Sequence, residues 1–219
     1  MNSTRIASWA SLVAAIAALN YYSRIDGSSA GSGRSEVYSW SSFVAGLLVY
    51  AVWFGLVLAI SAERRDLLAL RRPRLGWLRA GRYGLAAIGA IVVTGLLVSL
   101  LPLPQSPSSE QGLTPTAWEP RHAAAFAANL VLFAVVAPFV EESMFRGVGQ
   151  SLLMPIGRWF AILVVGVAFG ASHGLVEGLL VLVPFGIFLA YVRDRTDSTL
   201  PGMVVHGLWN GTVLILSVL

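Results

Sequence analysis

Apolar residues run through this chain in successive blocks long enough to cross a bilayer, separated by short polar breaks. Such blocks predict membrane helices, because hydrocarbon offers no water to unpaired backbone groups and a helix satisfies them within the segment. The pattern predicts seven helices, at about 6–22, 40–61, 83–101, 123–153, 159–173, 176–192 and 201–218. The expected fold class is all-α, a polytopic transmembrane helical bundle with a polar intramembrane site.

Two breaks carry organisation. Gly27–Gly33 is a Gly/Ser-rich run that reads as a flexible polar loop. Pro102–Pro120 holds five prolines and two acidic residues, a composition for an irregular or interfacial loop. The chain thus divides into an accessory part, 1–105, and a part, 120–219, that holds every intramembrane polar group. The first block reads as a retained span rather than a cleaved signal, since Asn20-Tyr21-Tyr22 offers no small-residue cleavage site.

Composition strengthens the membrane reading. Only 12% of the residues are charged against 56% hydrophobic, about half the roughly 25% charge of a soluble domain. All 15 basic residues are arginine, and seven (Arg64, Arg65, Arg71, Arg72, Arg74, Arg79, Arg82) fall in what reads as one short loop. Clustered between apolar blocks, they signal a cytoplasmic loop and contact with anionic headgroups, not nucleic-acid binding. The expected location is a bacterial inner membrane, multi-pass, with a cytoplasmic N-terminus. Absence of cysteine excludes thiol catalysis and thiolate metal sites.

Against that background the remaining polar groups stand out, because an ionised group in hydrocarbon costs at least ~2.5–3.5 kcal/mol. Glu141-Glu142-Ser143-Met144-Phe145-Arg146 reads E-E-x-x-x-R. Helical spacing pairs Glu142 with Arg146 and turns Glu141 about 100° away, free to serve as a general base. Pro138 is placed to kink this helix and open a pocket. Phe169 and His173 form F-x-x-x-H, and His206 and Asn210 form H-x-x-x-N, each aligned by one helical turn. Imidazole and carboxamide together can donate to an oxyanion; the bland alternatives are a structural ion pair, a core histidine and interhelical polar glue. Glu141, His173 and His206 are also a ligand set for zinc with an open water position. Gly170-Ala171-Ser172-His173-Gly174 matches G-x-S-x-G, but its membrane-helix flanks lack the strand–turn–helix setting of a nucleophile elbow.

The three motifs, in this order on successive apolar segments, resemble the CPBP (CAAX protease and bacteriocin-processing, or Abi) family of intramembrane proteases, which includes the type II CAAX prenyl endopeptidase. The resemblance covers about 120–215. It implies that Glu141 activates the hydrolytic water with His173, that His206 and Asn210 stabilise the oxyanion, that Glu142 and Arg146 support them, and that Phe169 packs beside the site. Metal-free and metal-dependent mechanisms both fit these residues. Asn210, a natural oxyanion donor and a poor zinc ligand, favours the metal-free one, with no cofactor and zinc as the alternative. The implied partners are the bilayer and a membrane-embedded peptide or protein substrate. Two other readings stand beside this one: a non-enzymatic immunity or scaffold protein that keeps the fold, and a proton-coupled transporter. The latter predicts internal repeats with broken helices, and the sequence shows no such repeat.

Overall fold

The computed structural model describes residues 2–25, 36–103, 115 and 117–219. The Gly27–Gly33 run and most of the proline-rich segment lie outside the described residues. Seven helices are seen among those described: α1 (Asn2–Ile25), α2 (Trp40–Ile60), α3 (Gly76–Ser99), α4 (Pro120–Leu153), α5 (Arg158–Ala171), α6 (Leu179–Thr196) and α7 (Leu200–Leu216). The first four are long and apolar enough to cross a membrane, whereas α5 and α7 are shorter apolar helices. At 14 residues, α5 spans only about 21 Å, less than the ~30 Å hydrocarbon thickness, and His173 lies just beyond its end.

Two boundaries correct the sequence reading. Helix α3 begins at Gly76 rather than at 83, so Arg79 and Arg82 lie on its first turns and not in a loop. Both are exposed, as are Trp77 and Leu78 beside them. Arginines at a helix end reach the polar rim while their stems stay on apolar surface, so a charge run there does not end the helix. Likewise α6 continues through Arg193 and Arg195 to Thr196.

The arginine-rich end is stitched together by hydrogen bonds. Arg5 Nε and a terminal nitrogen donate to the carbonyls of Ile60 (3.1 Å) and Ala62 (2.9 Å) at the end of α2. Arg71 reaches across to the Asp197 carbonyl (2.8 Å) and carboxylate (2.6 Å) in the α6–α7 turn. Thr199 Oγ1 donates to the carbonyls of Leu68 and Ala69, each at 3.1 Å. Part of the arginine cluster is therefore structural. Burial alone would raise the Asp197 carboxyl, but the Arg71 hydrogen bond and the charges of Arg193 and Arg71 hold it below the usual range. Its contribution to this turn is present above the ordinary carboxylate value of about 3.9 and fades as pH falls through the lowered one.

One apolar core draws on both segments of the chain. Trp9 of α1, Val57 of α2 and Ile91 of α3 pack in the same cluster as Phe145, Phe169 and Leu189. The most extensive helix contact among the described residues is α5 on α6. Gly166 and Gly170, a G-x-x-x-G pair, face Ile187, Val183 and Gly186. A Cβ on Gly186 would sit 2.6 Å from the Gly166 carbonyl oxygen. Small residues of this kind let membrane helices approach until backbone touches backbone.

Helix α4 is continuous but not uniform. Segments Leu132–Val136 and Ser143–Gly149 adopt the wider π register, in which donors reach back five residues and single turns bulge. Side chains from other helices brace these turns. Trp9 Nε1, for example, donates to Met144 O at 3.1 Å.

Candidate active site

Proline sets up the site. Ala137 N–H reaches back to Leu132 O, in π register. The next donor would be that of Pro138, which has none, so Phe133 O loses its helical partner. Asn210 Nδ2 of α7 fills the gap at 3.1 Å. One turn earlier on α7, Gly207 lies against the Ala134 carbonyl with no room for a Cβ. A Gly207→Ala change is expected to force the helices apart at a cost of about 1–3 kcal/mol. Thermal unfolding checks this, and an unchanged midpoint would refute it.

Both glutamates, one turn beyond Pro138, are buried. Arg146 Nη1 donates to Glu142 Oε1 at 2.8 Å, with neither side chain exposed. The other terminal nitrogen of Arg146 donates to Gly186 O at 3.0 Å, and its guanidinium lies 4.3 Å from the Phe169 ring centroid. Glu142 does more than pair. His206 Nδ1 lies 3.1 Å from Glu142 Oε1. A carboxylate already taken by arginine only accepts, so Nδ1 carries the proton. That contact aims the other ring nitrogen at Glu141, whose Oε2 is 3.9 Å from Nε2.

His173 is fixed in the same way. Its Nδ1 lies 2.7 Å from Phe169 O, and a carbonyl only accepts, so Nδ1 donates and Nε2 is left as the acceptor. Phe169 sits at the hub, edge-on to the rings of His173 at 4.7 Å and His206 at 5.6 Å. Glu141, Phe169, His173, His206 and Asn210 together line one cavity of about 180 Å³. The motif residues Glu141, Phe169, His173, His206 and Asn210 thus meet at this cavity, and Glu142 and Arg146 contact two of them, His206 and Phe169. Ser172 does not join them: its hydroxyl donates to Phe169 O at 2.8 Å, and no strand adjoins it among the described residues.

One partner was not legible from the motifs. Tyr50 of α2 donates its hydroxyl to Glu141 Oε1 at 2.9 Å and lines the cavity. Glu141 is therefore not bare but held by one phenol. The available signal was a lone phenol inside the apolar run of α2. As for metals, no three His, Asp or Glu side chains lie close enough to hold one ion among the described residues. Glu141, His173 and His206 share the cavity without forming such a cluster.

Residues 123–212 match the sequence model of the family described as type II CAAX prenyl endopeptidase Rce1-like. The matched stretch contains all three motifs, Phe133 and Pro138, and ends just past Asn210. No curated protein and no solved structure matches the chain.

Proposed function

We propose, on the premise that residues 123–212 form a membrane segment of the Rce1-like family, that this protein is an intramembrane endopeptidase using a metal-free, glutamate-activated water. The carrying observation is Glu141, buried beside His206 and held by Tyr50 at the wall of a cavity that His173 and Asn210 also line. Glu141 takes a proton from water that His173 Nε2 helps to hold, and the hydroxide adds to the substrate carbonyl. The oxyanion then accepts hydrogen bonds from Asn210, whose second amide hydrogen remains after Phe133 takes the first, and from His206. For His206 to donate through Nε2 as well as Nδ1, it must carry a positive charge. Collapse of the intermediate returns a proton to the leaving amine and releases a carboxylate.

The substrate is a membrane-associated segment, a C-terminal signal, a leader or a lipid-adjacent peptide, that enters between helices. The arginine-rich end faces the cytoplasm, which places the N-terminus there. The test compares the C-termini and leader peptides of membrane proteins in cells carrying the wild type or a Glu141→Ala, His173→Ala, His206→Ala triple variant. Processing lost in the variant supports an endopeptidase. A cellular phenotype fully retained by the triple variant would instead establish a non-enzymatic immunity or scaffold protein. Metal content, together with turnover in excess chelator, decides between the glutamate route and zinc.

Tyr50 enters as a positioning residue. Tyr50→Phe keeps the ring and its stack on Trp53 (5.6 Å) but removes the donor to Glu141. Turnover is expected to fall about tenfold, roughly the worth of one hydrogen bond to a charged group, with an altered pH profile and little change in KM. An unchanged rate and profile would remove Tyr50 from the mechanism.

A further inference from the structure

Helices α3, α5 and α6 form a second feature, whose lining shares no residue with the catalytic cavity and which peptide hydrolysis does not use. At the arginine-rich end, Arg74, Arg158 and Arg195 line a cavity of about 210 Å³ with a single carboxylate, Asp194. Arg158 already pairs with Asp194 at 2.6 Å, so the cleft keeps an excess of positive charge. Arg74 is exposed and is anchored through its backbone, whose N–H donates to Thr196 O at 2.8 Å. The Arg74 side chain is thus held at the cleft with no hydrogen bond or ion pair of its own among the described residues.

Toward the membrane, the same three helices leave an apolar groove of about 360 Å³, walled by Ala86 and Ala90 of α3, Trp159 of α5, and Ile187, Phe188 and Tyr191 of α6. The cleft and the groove touch at two points. Arg195 donates to the Tyr83 hydroxyl at 3.3 Å, and Tyr83 lines the groove. The Arg158 guanidinium lies 5.3 Å from the Trp159 ring, which stacks on Tyr191 at 6.3 Å. A basic cleft, a collar of tryptophan and tyrosine and a small-residue apolar groove follow one another in the order of a lipid's headgroup, interface and chain.

We propose that this is a binding site for one anionic glycerophospholipid, its phosphate held by Arg74 and Arg195 and one acyl chain lying over Ala86 and Ala90. Guanidinium forks match phosphate oxygens in pairs, and basic pockets between membrane helices suit anionic headgroups. A zwitterionic lipid matches the groove but brings a cation to the cleft. Inorganic phosphate matches the cleft but leaves the groove empty.

Native mass spectrometry of the full-length protein, delipidated and titrated with phosphatidylglycerol or phosphatidylcholine of identical chains, tests the assignment. Phosphatidylglycerol is expected to bind more tightly, and Arg74→Gln or Arg195→Gln each to weaken it about fivefold while leaving phosphatidylcholine unchanged. Ala86→Leu with Ala90→Leu, a change on a lipid-facing surface, should weaken both lipids. Equal affinity for the two lipids, or phosphatidylglycerol binding indifferent to all these substitutions, would overturn the site. Competition by inorganic phosphate at matching concentrations would reassign it to the free anion. None of these readings depends on proteolysis.

Discussion

Replacing Glu141 with Gln is expected to lower cleavage of a membrane peptide by about a hundred- to ten-thousand-fold, the span that a positioned general base supplies. The substitution is nearly isosteric. Its amide oxygen still accepts from Tyr50, which donates to Glu141 Oε1 at 2.9 Å, so unfolding should move little. What disappears is the ability to take a proton from water. The loss should therefore fall on kcat, because an interaction needed only in the transition state does not contribute to ground-state binding. Glu141→Asp provides the contrast, since it keeps the base but withdraws it from His206, now 3.9 Å away, and should retain a small fraction of turnover. The measurement is cleavage of an identified substrate in proteoliposomes alongside thermal unfolding. Turnover by the Gln variant equal to wild type, with the same product, would sink the glutamate mechanism.

The helical frame was legible because apolar block length is a strong signal, and its errors fell where charge and helix coexist. Arg79, Arg82, Arg193 and Arg195 read as loop residues, yet each lies in the terminal turns of a helix. The motif residues were legible because polar groups are costly in hydrocarbon, and helical spacing alone paired Glu142 with Arg146. Spacing could not reveal contacts between segments. The bond from His206 to Glu142 joins residues 64 apart, and that from Tyr50 to Glu141 joins residues 91 apart. Pro138 signalled a pocket, but the π register was invisible. It shows in the backbone bond from Ala137 N–H to Leu132 O, and Asn210 then satisfies Phe133 O. That bond gives Asn210 a structural task that oxyanion chemistry alone does not require.

Breaking the ion pair from one side should be far worse than removing it whole. Arg146→Met strands the buried Glu142 carboxylate, and losing one partner of such a pair costs about 3–5 kcal/mol. The pair is not fully satisfied even when intact: Glu142 Oε2 and Arg146 Nε have no hydrogen-bond partner among the described residues. An apolar replacement therefore gives up less than the geometry suggests, and Glu142→Leu with Arg146→Met should recover most of the lost stability. Catalysis should not recover with it. His206 Nδ1 donates to Glu142 Oε1 at 3.1 Å, and leucine leaves that proton without an acceptor and the ring without its aim at Glu141. Glu142→Gln with Arg146→Met restores a carboxamide oxygen at that place, so it should regain measurable turnover at comparable stability. Denaturant unfolding and cleavage rates of the three variants separate the two roles. If the leucine variant were as active as the glutamine variant, Glu142 would be only Arg146's partner. If instead turnover follows the presence of an acceptor rather than stability, Glu142 acts through His206, and the adjacent glutamates divide the work between orienting an imidazole and activating water.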